Sequence, residues 1–254
     1  MDVRFAALLL APAFWACSDP GVLRVGVDPS SPPMEFRQDD DTLAGFDLDL
    51  MRAVGEAEGL RVEFVPGSWP GLFAQAADGG LLSGLGTSYD AVASSAVITS
   101  ERRVKYLASA PYLDAGQVLV VPWDSPAAVL DDLAQSTVGV RAGSAGADIV
   151  HRTFHARLDQ MRFYGTVDQA LEDLLERRIG GVVAGRIELA RAFTANAALK
   201  AGLRMTGPTL TDDSLVGVFV ASGNTALVSK INDGLAKVTA SGRYGELLDR
   251  WALR

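Results

Sequence analysis

Arg102 and Arg103 follow Glu101 in the run Thr99-Ser100-Glu101-Arg102, directly after an apolar stretch. A guanidinium presents its N–H donors as a planar fork, which suits it to gripping both oxygens of a carboxylate. The competing reading of either Arg is a solvated surface cation. Ser144 follows Gly143 at the start of a helical pattern containing Asp148. Free backbone N–H groups and the positive end of the helix dipole favour an anion there, although a plain N-cap has the same geometry and needs no ligand. Asp28 ends a β-rich run, a position from which side chains of α/β sheets face a crevice, and one where Asp also forms turns. His151 and His155, four apart, would share a helix face as a metal pair does. Neither the metalloprotease framing nor a third ligand accompanies them, so no metal is expected. The run Gly143-Ser144-Ala145-Gly146 is not a nucleophile elbow, and no triad supports it. Together these residues suit the capture of a small anion, with no cofactor and no covalent chemistry.

The composition agrees. A chain of 254 residues with 48% hydrophobic content can build one large core or two small ones, and a net charge of -8 disfavours a nucleic-acid partner. Net charge does not decide a small internal site, whose ligand is met by one or two local groups. The start reads Met1-Asp2-Val3-Arg4, then an apolar run at 5–16, then Cys17-Ser18-Asp19-Pro20. That run is shorter than a membrane span and fits the h-region of a secretory signal, so residues 1–17 are expected to be a signal peptide. Cys17 is the only cysteine, which excludes an intrachain disulfide. It stands where a lipoprotein carries its lipid, although Phe14 and Trp15 depart from the usual lipobox.

Positioning these residues requires alternating strands and helices, the pattern of an α/β protein with open, mostly parallel sheets. Strands are expected at 23–27, 61–65, 89–93, 117–121, 138–140, 161–163, 181–184 and 216–220. Helices are expected at 45–54, 70–77, 126–133 with Ser125 as N-cap, 147–154, 167–176, 187–196, 225–239 and 244–251. The Gly-rich stretch 78–88 reads as a surface loop, and no solenoid repeat is present.

Eight runs in order carry a family resemblance: Leu-Arg-Val-Gly-Val-Asp at 23–28, Pro-Pro-Met-Glu-Phe at 32–36, Leu-Ala-Gly-Phe-Asp-Leu-Asp-Leu at 43–50, Ser-Trp-Pro-Gly-Leu at 68–72, Ile-Thr-Ser-Glu-Arg at 98–102, Ala-Pro-Tyr-Leu-Asp-Ala-Gly-Gln at 110–117, Val-Gly-Val-Arg-Ala-Gly-Ser at 138–144 and Ser-Gly-Arg-Tyr-Gly at 241–245. The chain thereby resembles the extracytoplasmic solute-binding proteins of polar-amino-acid ABC importers. The resemblance implies a type II periplasmic-binding-protein-like fold, with two mixed sheets flanked by helices and two hinge strands. Lobe 1 would be 22–113 plus 216–254 and lobe 2 would be 117–212, with hinges near 113–118 and 210–217. It further implies a monomer that delivers its solute to an ABC permease.

By the same resemblance Arg102 holds the ligand's carboxylate, Ser94 and Ser95 line the cleft, and Trp69 forms an aromatic wall; packing is the competing reading for the serines and the Trp. Ser144 and Asp28 complete the expected ligand set. The chain also departs from the family: Gly185 replaces the amine-binding Asp, Val97 a hydroxyl residue, and Met34 an aromatic. A buried ammonium without a carboxylate is costly. The expected solute is therefore anionic, or zwitterionic with its amine met by Glu188 or Asp28. A rival resemblance is to cyclohexadienyl dehydratases, carbon–oxygen lyases on the same fold. It rests on Ser68-Trp69-Pro70 and on Ile187-Glu188, with Glu188 at the catalytic acid's position, but Arg141 and Gly185 depart from that enzyme's pattern. An orphan sensory binding lipoprotein is the third reading.

Overall fold

The β-rich run at the start forms β1 (Val22–Val27), after which β2 (Ser30–Ser31), β3 (Glu35–Arg37) and β4 (Leu43–Ala44) fold into a small antiparallel sheet. Then come α1 (Phe46–Ala57), β5 (Arg61–Pro66), the single turn α2 (Trp69–Leu72), β6 (Ala91–Val92), α3 (Ser100–Lys105), β7 (Tyr106–Ala108) and β8 (Leu113–Asp114). The next stretch contains β9 (Gln117–Pro122), β10 (Val138–Arg141), α4 (Ala145–Thr153), β11 (Met161–Tyr164), α5 (Val167–Leu175), β12 (Gly181–Gly185), α6 (Arg186–Ala195), α7 (Ala197–Gly202) and β13 (Leu203–Thr206). The chain closes with β14 (Leu215–Val216), β15 (Phe219–Ala221), α8 (Thr225–Ala240) and α9 (Arg243–Arg250). This computed structural model describes residues 21–72, 85–86, 88–142, 144–154, 158–211 and 214–254.

Two five-stranded sheets result, with orders β5-β1-β6-β15-β7 and β11-β10-β12-β9-β13. In the first, β1 is parallel to β5 and β6, and β15 returns antiparallel between β6 and β7. In the second, β10 is parallel to β11 and β12, whereas β9 runs antiparallel to β12 and β13. The chain passes between the sheets at β8 and β14, which pair antiparallel with Leu215 opposite Asp114 and Val216 opposite Leu113. Each sheet has its own core. Val25, Val27, Phe46, Leu50, Met51 and Val54 pack with Ile231 and Leu235 of α8, while Val120, Leu171, Leu174, Val182 and Phe193 pack together in the second. Burial of these side chains, at about 25 cal/mol per Å² of apolar surface, is the main force holding each unit together.

Three sequence expectations are corrected. The helix at 126–133 is only a 3₁₀ turn, Leu130–Leu133. Asp132 explains this, because its carboxylate accepts the N–H groups of Ala128 and Val129 at 2.8 and 3.1 Å and starts the turn there instead of at Pro126. The strand at 216–220 is two strands. Gly217 donates its N–H to Ala96 O, and Val218 donates its own to the Ser109 hydroxyl, so the chain bends out of the hinge and into the first sheet. A Cβ on Gly217 would lie 2.6 Å from Ile98 Cδ1, so a larger residue there would require Ile98 to shift. The sheets, finally, are more mixed than the strand–helix alternation suggests, since β15, β7, β9 and β13 bring in antiparallel pairings. Of the helix expected at 70–77 the structure describes the turn Trp69–Leu72, and most of the Gly-rich stretch lies outside the described residues.

Candidate solute-binding site

Ser94 and Ser95 follow the end of β6, the central strand of the first sheet, in a turn held from beneath. Ser94 Oγ accepts the Asp28 N–H at 2.9 Å and donates to Glu35 Oε1 at 3.2 Å. Ser95 Oγ donates to Glu35 Oε2 at 3.1 Å, while the Ser95 N–H donates to Asp47 Oδ2 at 2.6 Å. Tyr112 O–H completes the set by donating to Asp47 Oδ1 at 2.8 Å. The Ser95 φ is +50°, a left-handed conformation uncommon for a residue with a side chain, and these bonds hold it there. Asp28, Ser94 and Ser95 are thus brought together. Ser94 is buried with its hydroxyl engaged on both sides, whereas Ser95 is only partly buried.

Arg102 enters from α3. Thr99 caps that helix by accepting the Arg102 N–H at 3.3 Å, and Arg102 Nη1 donates to Val97 O at 2.6 Å, two residues beyond the serine turn. Its guanidinium lies 6.0 Å from the Phe219 ring centre, within cation–π range. Burial lowers its pKa and the nearby Glu101 opposes the shift, leaving a guanidinium charged at any physiological pH. Arg103 instead lines a hollow of about 430 Å³ with Ile98, Thr99, Ser100 and Leu215. Trp69 begins α2 just beyond β5, beside β1 in the same sheet.

Ser144 lies beyond β10 of the second sheet, at the start of α4. It caps α4 by accepting the Ala147 N–H at 3.2 Å, so its hydroxyl performs the capping role. Gly185 caps the neighbouring α6 and pairs with Gln117 of β9. A Cβ on Gly185 would lie 3.3 Å from Gln117 Nε2, and one on Gly146 would lie 3.0 Å from Gln117 Oε1. A neutral amide thus occupies the space between the starts of α4 and α6. Arg141, at the end of β10, and Glu188, in the first turn of α6, lie 3.9 Å apart. Cys17 and His155 lie outside the described residues, His151 is exposed, and among the described residues no group of side chains could hold a metal ion.

Glu35, Asp47, Tyr112 and Gln117 were not singled out from sequence. A signal existed for two of them. Glu35 interrupts the apolar run Pro32-Pro33-Met34, and the helical spacing of Asp47 with Met51 and Val54 places it on the buried face of α1. Gln117 carried no such mark, because its position between two glycines arises from strand pairing.

Two α/β units joined by a pair of crossing strands, with polar turns at the strand ends of each, define a solute-binding scaffold. Residues 23–254 match the model of the bacterial extracellular solute-binding proteins, family 3, and the chain belongs to that family. It is 28% identical over 236 residues to a probable histidine-binding protein of Neisseria gonorrhoeae, covering 92% of this chain and 84% of that one. A solved polar amino acid ABC uptake transporter substrate-binding protein from Streptococcus thermophilus is 25% identical with a TM-score of 0.75, over 91% of this chain and 86% of that one. An ancestral cyclohexadienyl dehydratase, 21% identical over 91% of this chain and 92% of that one, shares the two-lobed fold with a TM-score of 0.73. The curated relatives are named as amino-acid-binding proteins and not as enzymes. Among the described residues no helix is long and apolar enough to cross a membrane.

Proposed function

We propose that the protein captures a small carboxylate-bearing solute, amino-acid-like or an organic acid, between lobes 22–113 plus 216–254 and 117–212, and presents it as a monomer to an ABC permease. The observation that carries this reading is the anchored Arg102, fixed by Val97 O beside the Ser94–Ser95 turn, since a pre-oriented guanidinium can grip a carboxylate without first being ordered. Trp69 would wall the ligand's side chain, and the capped start of α4 at Ser144 would face the anion from the second lobe. The dehydratase alternative rests on Glu188, which has Arg141 at 3.9 Å and is one-third exposed. Arg141 and Gly185 depart from that enzyme's pattern, so only one catalytic position is kept.

The amine side decides the ligand class. Gln117 and Gly185 offer an amide where the family resemblance implies a carboxylate, so a purely anionic solute should bind at least as well as a zwitterion. Calorimetry with L-arginine, L-histidine, glutarate and prephenate tests this, and Gly185→Asp should weaken an anion about tenfold while strengthening an amino acid. Tight binding of an amino acid to the wild type would remove the inference from Gly185. Binding should also reduce the radius of gyration in solution scattering, because lobes joined by two strands close around solute. An unchanged radius at saturating ligand would remove the closure reading.

We further propose export and anchoring through a lipid on Cys17, on the strength of the short apolar run that ends there. Cys17→Ser should shift the protein from the membrane fraction to the soluble extracytoplasmic fraction. Wild type found wholly soluble and unmodified would exclude the anchor.

A further inference from the structure

We infer that Glu35 and Asp47 are positioning residues which share a single proton, carried by Glu35, and that this neutral-acid and carboxylate pair sets the Ser94–Ser95 turn of the solute site. Both residues are 1% exposed, and Ser95 ties their carboxyl groups together, its hydroxyl on Glu35 at 3.1 Å and its N–H on Asp47 at 2.6 Å. Among the described residues no ion pair reaches either one. The nearest titratable groups are Tyr112, which donates to Asp47, and Tyr244 of α9, which faces Tyr112 and is itself faced by Arg186. Asp28 touches the cluster through its backbone N–H. Two adjacent carboxylates without a cation cannot both be ionised in such a place, so one proton must stay.

The acceptor pattern assigns the proton. Asp47 receives donors on both oxygens, Ser95 N–H on one and Tyr112 O–H on the other, which an ionised carboxylate satisfies. Glu35 receives a serine hydroxyl on each oxygen and, as the neutral member, carries the O–H of the pair. Burial, and then the charge of Asp47, push the Glu35 pKa far above its ordinary value; burial also raises that of Asp47, opposed by the bonds from Ser95 and Tyr112. Without this arrangement the left-handed backbone at Ser95 loses the bond that holds its N–H.

The role in binding rests on the proposed function, but the pair itself can be tested without ligand. The folded state keeps a proton that the unfolded chain releases above the ordinary carboxylate value of 4.5, so stability falls as pH rises from there towards the raised folded value. Melting of the full chain without ligand should therefore show wild type losing about 5 °C or more relative to Glu35→Gln between pH 5 and 9, because Gln supplies a permanent N–H donor. Hydrogen exchange should show the Ser95 amide as protected in Glu35→Gln as in wild type, and exposed in Asp47→Asn, which puts a donor where an acceptor is needed. With L-arginine or glutarate as probe, Glu35→Gln should bind within about threefold of wild type and Asp47→Asn at least tenfold more weakly. Parallel melting slopes for wild type and Glu35→Gln, or loss of Ser95 protection in Glu35→Gln, would overturn the inference even if Asp47→Asn fails to fold. If wild type binds neither probe, the melting and exchange results still decide the pair, and only the binding reading is left without support.

Discussion

Arg102→Ala is expected to weaken capture of a carboxylate solute by about 2–5 kcal/mol, the range for removing one member of a desolvated charge pair. That corresponds to a loss of roughly thirtyfold to several thousandfold in affinity. The anchor at Val97 O makes the effect large, since the guanidinium is held in one orientation before ligand arrives. Lys at 102 should recover only part of the loss, because an ammonium is a point charge without the planar fork. Arg103→Ala is the control: it lies on the same helix but lines the separate hollow with Ile98 and Leu215, and should change affinity by less than about twofold. Calorimetry on the three variants separates the cases. Unchanged affinity in Arg102→Ala would remove the assignment, and a large loss in Arg103→Ala would move the site to that hollow. Because Arg102 also stacks near Phe219, a melting curve should accompany each measurement to confirm that the variant is folded.

Gly45→Ala is expected to destabilise the protein by about 3 kcal/mol or more, enough to threaten folding altogether. Gly45 adopts φ +138°, and a Cβ there would lie 2.1 Å from Met34 O and 2.8 Å from the Glu35 Cα. Neither contact can relax by a rotamer change, because both atoms belong to the backbone. The chain cannot easily withdraw either, since Phe46 and Asp47 donate their N–H groups to Pro33 O and Met34 O at 3.0 and 2.9 Å. That close approach is what places Glu35 against Asp47, so the same substitution should also loosen the serine turn. Gly59→Ala, at φ +65° beyond the end of α1 with open space around its Cβ, should cost only about 1 kcal/mol. Chemical denaturation distinguishes the two. A Gly45→Ala variant within about 1 kcal/mol of wild type would show that the junction is not rigid.

Much of the scaffold was legible because it depends on local pattern. The parallel strands β1, β5, β10, β11 and β12 and the long helices α1, α5 and α8 carry period-2 or period-3.6 apolar spacing, and such spacing expresses itself wherever a core is available. The short elements were not legible. β2, β3, β4 and β7 span two or three residues each, too few for a period to register, and they exist only because neighbouring segments offer hydrogen-bond partners. The break at Gly217 belongs to the same class, since it answers to Ala96 and Ser109 far away in sequence.

The candidate site divides along the same line. The residue types by themselves determined that an Arg stood at 102 in a Thr-x-Glu-Arg turn, that small hydroxyl residues stood at 94, 95 and 144, and that no carboxylate stood at 185. Those facts follow from side-chain chemistry and local turn preference, which need no tertiary partner. Only the tertiary structure decided which of Arg102 and Arg103 bonds back to Val97, that Gln117 fills the space beside Gly185, and that Glu35 and Asp47 meet beneath the serine turn. The physical reason is that a buried polar group is tolerable only with its partners in place, and here those partners come from β3, α1, the end of β6 and the approach to β8. Folding brings them together, and no spacing along the chain encodes it.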